Sequence, residues 1–223
     1  MMMLKARRTL HLAVRWGLWF TPFRRYIYHR YQYAFTPEQL SFLVNCINQT
    51  RDVAGMIYEI GCAGGATTVF LNKHLESSSI DKKYICLDTF KGFTTHDVSW
   101  EVLHRGKRKE DLLGFERNSP CWFRYTMKAN ACARVMCVVT DVQEYTFREK
   151  VSFCLLDVDL YRPTLHALQA IWPLLEPGGI IVVDDCLDGH TYDGAFQAYI
   201  EFTRRMNLPQ EIVLQKLGVI ARC

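Results

Sequence analysis

The sequence lacks the features of a membrane-spanning, secreted or zinc-binding protein. Arg15 interrupts the apolar part of the N-terminal region, so no uncharged apolar stretch of about 18 residues is available for a spanning helix. A signal peptide would need a longer clean apolar region and a small-residue cleavage site, neither of which is evident. The nine cysteines include no Cys-x-x-Cys pair, and several lie in apolar runs. This pattern favours free thiols in a reducing compartment, so we expect a cytoplasmic protein.

Acidic residues are absent before Glu38, whereas residues 1–37 contain seven lysines and arginines. The rest of the chain holds 20 basic and 23 acidic residues, and this mild acidity disfavours nucleic-acid binding. Residues 1–35 therefore form a basic, aromatic-rich arm. It could lie on an anionic membrane surface, or it could pack on the protein as a lid or a homodimer element. Of these alternatives, packing within the protein or its dimer is favoured.

Residues 36–223 are sufficient for one domain with a substantial core. A helix is predicted to begin at Thr36, because Thr36 is a good N-cap, Pro37 suits the first helical position and Gln39 completes a capping box. Helical patterns alternate with apolar runs, which predicts a parallel sheet with right-handed crossovers. The runs predicted as strands are 56–60, 83–88, 135–141, 151–156, 180–183, 212–214 and 218–221. Residues 93–134 are expected to form a lid or substrate wall.

The stretch 56–70 organises the sequence, because an apolar strand there runs into Gly61, Gly64 and Gly65 and then into a helix. Glycines allow a tight turn and a close approach of the backbone to a ligand, and the helix N-terminus offers unpaired N–H groups. The spacing Glu-x-Gly-x-x-x-Gly differs from the Gly-x-Gly-x-x-Gly of dinucleotide binders. Glu59 would repel a pyrophosphate but would attract a cation. The pattern suits the aminium end of S-adenosylmethionine.

Each of the first five predicted strands carries an acid at or near its end, where open parallel sheets bind ligands. Asp88 suits hydrogen bonds to ribose hydroxyls, and Asp141 could accept one from an adenine amino group. Asp157, Asp184 and Asp185 end adjacent strands and could converge as hard oxygen ligands of Mg²⁺. The alternative is that these acids cap helices and pair with arginine or lysine.

Several segments resemble known methyltransferases. Tyr-Glu59-Ile-Gly-Cys-Ala-Gly-Gly resembles the first motif of class I S-adenosylmethionine-dependent methyltransferases. Leu-Asp88-Thr-Phe-Lys-Gly-Phe, Leu-Asp157-Val-Asp-Leu-Tyr-Arg-Pro-Thr and Pro-Gly-Gly-Ile-Ile-Val-Val-Asp184-Asp185 resemble the macrocin O-methyltransferase family. That family methylates sugar hydroxyls of macrolides with Mg²⁺. The resemblance covers residues 55–95 and 135–205 and leaves the arm and residues 96–134 unmatched.

The resemblance implies an α/β, Rossmann-like fold with a mostly parallel seven-stranded sheet and helices on both faces. It implies an O-methyltransferase that uses S-adenosylmethionine and Mg²⁺ on a hydroxyl of a sugar-like small molecule. Asp157, Asp184 and Asp185 would hold the metal, with Asp157 also catalytic, and His190 is the candidate general base. The implied cofactor-binding residues are Glu59, Gly61, Cys62, Ala63, Gly64, Gly65, Asp88, Thr89 and Asp141. The alternatives are a catalytically silent cofactor-binding protein and, less favoured by the glycine spacing, a nicotinamide-dependent dehydrogenase.

Overall fold

The computed structural model describes residues 12–26, 31–113 and 115–223, except for the side chains of Arg25 and Tyr26. The chain divides into two compact units, Met1–Ala34 and Phe35–Cys223.

The first unit contains a helix over 12–19 and a 3₁₀ turn at Pro22–Tyr26. Its described apolar side chains are mostly exposed, and Phe20 has 82% of its surface accessible. The arm's other basic residues lie outside the described residues or have undescribed side chains: Lys5, Arg7, Arg8, Arg25 and Arg30. In the described part of the chain, no helix is long and apolar enough to cross a membrane. The role of the arm remains a prediction.

The second unit is built on one seven-stranded sheet. Its strands are β1 (Met56–Ile60), β2 (Tyr84–Asp88), β3 (Val135–Val139), β4 (Val151–Leu156), β5 (Leu175–Val183), β6 (Glu211–Val213) and β7 (Leu217–Ala221). Their order is β3-β2-β1-β4-β5-β7-β6, and β7 runs antiparallel to both of its neighbours, β5 and β6. The central strands β1 and β4 are buried along their whole length, as expected for parallel strands that are covered on both faces. The predicted mostly parallel, seven-stranded α/β fold is confirmed.

Helices connect the strands and cover the sheet. They are α1 (Pro37–Gln49), α2 (Ala66–Ser77), α3 (Thr95–Arg105), α4 (Pro120–Ala129), α5 (Tyr161–Ile171) and α6 (Gly194–Arg205), with 3₁₀ turns at Lys109–Leu112 and Trp172–Leu174. The predicted capping box is present at α1, where the Thr36 hydroxyl accepts from the Gln39 N–H and Gln39 Oε1 accepts from the Thr36 N–H. Leu168 and Ile171 of α5 and Phe202 of α6 are buried in the main core.

Two strand boundaries differ from the prediction by more than one residue. The strand predicted over 180–183 begins earlier, at Leu175, and includes residues 177–179. The reason is pairing with the chain end, since the Gly178 N–H donates to the Arg222 carbonyl at 2.6 Å and the Arg222 N–H donates to Gly179 at 3.0 Å. At the other boundary, β3 ends at Val139, so Asp141 follows the strand by two residues.

The strand register brings the carboxyl ends of four strands into one row. Ile60 of β1 lies beside Leu87 of β2 and Leu156 of β4, and Leu156 lies beside Val183 of β5. The next residue of each strand therefore falls at the same sheet edge. These residues are Asp88, Gly61, Asp157 and Asp184.

Candidate active site

The glycine loop between β1 and α2 approaches the end of β4 very closely. Gly61 has φ +84°, and a Cβ atom placed there would lie 1.7 Å from the Asp157 carbonyl oxygen. Only glycine fits such a position without moving the backbone. At Gly64, by contrast, a Cβ would meet no described atom within 4 Å. One side of the loop is thus fixed against β4, while Gly64 borders open space.

Asp88 organises this loop from the end of β2. Its Oδ2 accepts hydrogen bonds from the backbone N–H groups of Cys62, at 2.9 Å, and Ala63, at 2.7 Å. Its Oδ1 accepts from the Phe90 N–H at 2.7 Å. The neighbouring Thr89 hydroxyl donates to the Gly92 carbonyl within its own turn. The carboxylate of Asp88 therefore binds the loop that the sequence predicted as a cofactor cradle.

Glu59 has a different environment, inside the sheet. Its side chain is buried, and its Oε2 accepts a hydrogen bond from the Tyr84 hydroxyl at 2.7 Å and a longer one from the Cys86 thiol. Burial raises the pKa of Glu59 to about 7, although these hydrogen bonds oppose the rise. The carboxylate of Glu59 thus interacts with side chains of β2 and with Thr68 of α2.

Asp141 belongs to a polar network between the β3 end and α3. Its Oδ1 accepts from the Gln143 N–H at 2.9 Å, and the Gln143 side-chain amide donates to Asp97 Oδ2 at 2.9 Å. Asp97 also accepts from the Thr94 hydroxyl at 2.6 Å. Gln143 and Asp97 did not stand out in the sequence, because nothing in their spacing relates one to the other.

Four carboxylates collect where β4 and β5 end. Asp157, Asp184 and Asp185 lie close enough for their charges to interact, and Asp159 joins them, close enough to hydrogen-bond with Asp185. Burial, reinforced by the neighbouring carboxylates, raises the pKa of Asp157 and Asp159 well above the ordinary range. For the same reasons the pKa of Asp184 rises to about 6.

Lys216, in the turn between β6 and β7, supplies a positive charge to this cluster. Its Nζ lies 2.7 Å from Asp184 Oδ2 and 3.0 Å from Asp185 Oδ1. Burial alone would lower the pKa of Lys216, but Asp184 and Asp185 raise it. Asp184 Oδ1 is buried and accepts no hydrogen bond from the described residues. Among those residues, no three His, Cys, Asp or Glu side chains already stand in the arrangement of a metal centre.

The backbone is strained at two of the acids. Asp159 has φ +65° and Asp185 has φ +55°, in the left-handed region that ordinary residues rarely adopt. Around Asp159 the chain forms a tight turn in which the Leu160 N–H donates to the Val158 carbonyl at 2.6 Å. Such strain costs on the order of 1–3 kcal/mol per residue and typically marks functional sites.

His190 and Tyr192 lie on the loop that follows β5. His190 is exposed, and its ring centroid lies 5.6 Å from that of Tyr192. Tyr192 also contacts Phe93 and Phe115, which form an aromatic cluster with it. Burial raises the pKa of Tyr192, and the charges of Asp159 and Asp185 raise it further. Tyr192, which did not stand out in the sequence, therefore lies close enough to the acids to feel their charge.

Ion pairs attach α3 and the residues after it to this loop. Glu101 Oε2 lies 2.7 Å from Arg105 Nε, and Arg105 also pairs with Asp193. Lys107 Nζ lies 2.6 Å from Asp193 Oδ1. Glu101 Oε1 accepts from the N–H of Tyr161, the first residue of α5, at 2.8 Å. The predicted lid region is thus anchored beside the ends of β4 and β5.

A groove of about 510 Å³ is lined by residues of α3, of the 3₁₀ turn at Lys109–Leu112 and of the segments beside them. Its lining is mainly apolar and includes Phe93, Val98, Val102, Leu103, Leu112 and Leu113. Lys91 and Lys109 add positive charge to it.

Comparison with known proteins agrees with this architecture. Residues 58–186 match a protein family described as a methyltransferase domain. Mycinamicin III 3''-O-methyltransferase of Micromonospora griseorubida is 25% identical over 199 residues, which cover 83% of this chain and 76% of that protein.

Two solved structures share the fold. The O-methyltransferase NovP superposes with a TM-score of 0.69 at 17% identity, over 83% of this chain and 79% of NovP. The calicheamicin methyltransferase CalS11 superposes with a TM-score of 0.63 at 20% identity, over 83% of this chain and 80% of CalS11. The expected assignment to the class I S-adenosylmethionine-dependent O-methyltransferases is confirmed, and the chain belongs to the methyltransferase-domain family.

Proposed function

We propose that the protein transfers a methyl group from S-adenosylmethionine to a hydroxyl of a sugar, or of another small molecule with vicinal hydroxyls. The observation that carries the proposal is the direct contact between the glycine loop and the acid cluster, where Gly61 packs on the Asp157 backbone. A cofactor on the loop and an acceptor at the acids would be neighbours. The names of two similar proteins, a mycinamicin 3''-O-methyltransferase and a calicheamicin methyltransferase, support acceptors of this class.

The glycine loop fits S-adenosylmethionine, which supplies an electrophilic methyl group when bound. The open space at Gly64 leaves room for a ligand against the backbone, and Asp88 holds Cys62 and Ala63 in place. Oxygen atoms of Asp88 and Asp141 retain lone pairs for ribose and adenine groups. Gly65 and Thr89 complete the proposed cofactor set. Glu59 belongs to it only if its carboxylate can leave Tyr84.

The acid cluster fits a hard divalent cation. Four carboxylates face one lysine, and Asp184 Oδ1 is buried without a hydrogen bond from the described residues. When the carboxylates are ionised, their negative charge is therefore not fully balanced by Lys216. Asp157, Asp184 and Asp185 would hold Mg²⁺, whose oxygen preference matches them. A bound divalent cation would supply the charge that lowers the pKa of an acceptor hydroxyl.

The remaining roles belong to side chains near the acids. His190 is the proposed proton acceptor, because its loop follows Asp185 directly, and Tyr192 would position the acceptor from its aromatic cluster. The enzyme's main contribution would be to hold the hydroxyl and the methyl donor in line. We place this activity in the cytoplasm, because nine free cysteines suit a reducing compartment. The arm would be a lid or homodimer element, with peripheral membrane contact as its alternative.

Methyl transfer to sugars with vicinal hydroxyls, followed by mass spectrometry, tests the proposal. We expect activity with Mg²⁺, loss in EDTA and recovery when Mg²⁺ is restored. The double variant Asp184→Asn/Asp185→Asn should lose turnover and metal binding together but keep S-adenosylmethionine affinity, measured by calorimetry. Full activity in EDTA would refute the metal and leave a base-assisted transfer. Cofactor binding without transfer to any acceptor would favour the catalytically silent protein, and binding of NAD instead would favour the dehydrogenase.

A further inference from the structure

Lys216 reaches the acid cluster from a distant part of the sequence and is fixed there by its backbone. It directly precedes β7, and its carbonyl accepts a hydrogen bond from the Cys186 N–H at 2.7 Å. Cys186 immediately follows the two acids that the lysine contacts. The main-chain hydrogen bond thus keeps the Lys216 backbone beside the end of β5, independently of the conformation of its side chain.

The side chain of Lys216 is partly exposed and lies beside an aromatic ring. Its Nζ bonds Asp184 and Asp185, and it also lies 5.3 Å from the centroid of the Phe35 ring, a favourable place for a cation. About 22% of the side chain is exposed, so water is within its reach. A lysine stem with four flexible carbons can leave the carboxylates without moving the backbone.

We infer that Lys216 is a built-in competitor of the divalent cation: its ammonium neutralises Asp184 and Asp185 in the metal-free protein and must release them when the cation binds. The inference rests on the proposed metal site. Both carboxylates that Lys216 contacts belong to the proposed ligand set, and a monovalent charge at 2.7–3.0 Å from their oxygens repels a second cation there. The lysine would therefore weaken metal binding and protect the cluster from self-repulsion while metal is absent.

Removing the ammonium should tighten metal binding. We expect Lys216→Met, prepared free of metal, to bind Mn²⁺ roughly tenfold or more tightly than the wild type, because the metal no longer has to break charged hydrogen bonds. Electron paramagnetic resonance of free Mn²⁺ during titration measures this affinity without reference to catalysis. Lys150→Met is the matched control, since it removes a lysine that pairs with a carboxylate, Glu176, outside the cluster. Its Mn²⁺ affinity should equal that of the wild type.

The wild-type protein provides a second measurement, in case Lys216→Met folds poorly. Reductive methylation followed by peptide mass spectrometry reports how available each lysine ammonium is. Labelling of Lys216 should accelerate severalfold when Mg²⁺ is added, whereas labelling of Lys150 should not change.

The outcomes separate this inference from the proposed function. The competition would be refuted if folded Lys216→Met bound Mn²⁺ no more tightly than the wild type, or if Mg²⁺ did not change the labelling rate of Lys216. Neither result would argue against the metal site itself. If neither protein bound Mn²⁺ and methyl transfer continued in EDTA, both the competition and the proposed metal site would be refuted. Lys216 would then be the permanent counterion of a metal-independent enzyme.

Discussion

Replacing Glu59 with glutamine is expected to make the ligand-free protein more stable at pH 8. The wild-type carboxyl is buried against Tyr84, and burial raises its pKa from 4.5 to about 7. A carboxyl with a raised pKa binds its proton more tightly in the folded state than in the unfolded state. The stability that it contributes is therefore complete below about pH 4.5 and is lost as the pH rises through about 7. Glutamine keeps the shape and an oxygen acceptor for the Tyr84 hydroxyl but never ionises.

The size of the effect follows from the two pKa values. A rise from 4.5 to about 7 corresponds to about 3 kcal/mol between the fully protonated and fully ionised limits. Relaxation around the charged group reduces this, so we expect Glu59→Gln to raise the free energy of unfolding by about 1–3 kcal/mol at pH 8 and by much less at pH 5.

Urea unfolding followed by tryptophan fluorescence, at several pH values between 5 and 8, measures the difference between the two proteins. Glu144→Gln, at an exposed position, is the control and should show no such pH dependence. A difference that does not change with pH, or a variant that is less stable at pH 8, would refute the reasoning and show that the ionised carboxylate is compensated in the fold.

Other changes test the loop and the arm. Gly61→Ala should destabilise the protein by about 3 kcal/mol or more, because a Cβ there clashes with Asp157 and the backbone has a positive φ. Gly64→Ala should leave the melting temperature nearly unchanged, and equal melting temperatures for the two variants would contradict the loop geometry. Asp88→Asn should weaken S-adenosylmethionine binding about tenfold or more in calorimetry, through loss of charged hydrogen bonds, and unchanged affinity would remove Asp88 from the site. Deletion of residues 1–30 should change oligomer size or activity, whereas salt-sensitive co-sedimentation of the intact chain with anionic vesicles would favour the membrane alternative.

The fold was largely predictable because its signals are local. Apolar runs mark the strands, and the capping box at Thr36 fixes the start of α1 within one turn of sequence. Residues 93–134 were harder to divide into elements from the sequence, because α3 within them is anchored by distant residues such as Asp193 and Tyr161. The beginning of β5 was misjudged for a related reason. Residues 177–179 have the composition of a turn, and Gly178 has φ +82°, but pairing with Arg222, more than 40 residues later, holds them in the strand.

The meeting of the acids at one edge was also predictable, because parallel topology alone brings strand ends together. The directions of the side chains were not. Asp159 lies beyond the end of β4, where strand alternation no longer sets the direction of a side chain, and its backbone is left-handed with its carboxyl beside Asp185. The sequence did not indicate that Lys216 would lie beside the acids, because its position depends on how the β6–β7 hairpin pairs with β5.

The structure also bears on the alternative that the acids serve as helix caps. α5 begins after Leu160 and α2 after Gly65, and neither helix receives a side-chain capping bond. Among the described residues, only Lys216 forms ion pairs with the four acids, and it reaches two of them. Buried charges that are incompletely paired reduce stability, and the left-handed residues Asp159 and Asp185 add strain. These costs favour the proposed magnesium site over the capping alternative, because hard carboxylate oxygen atoms suit a divalent cation that would balance their charge.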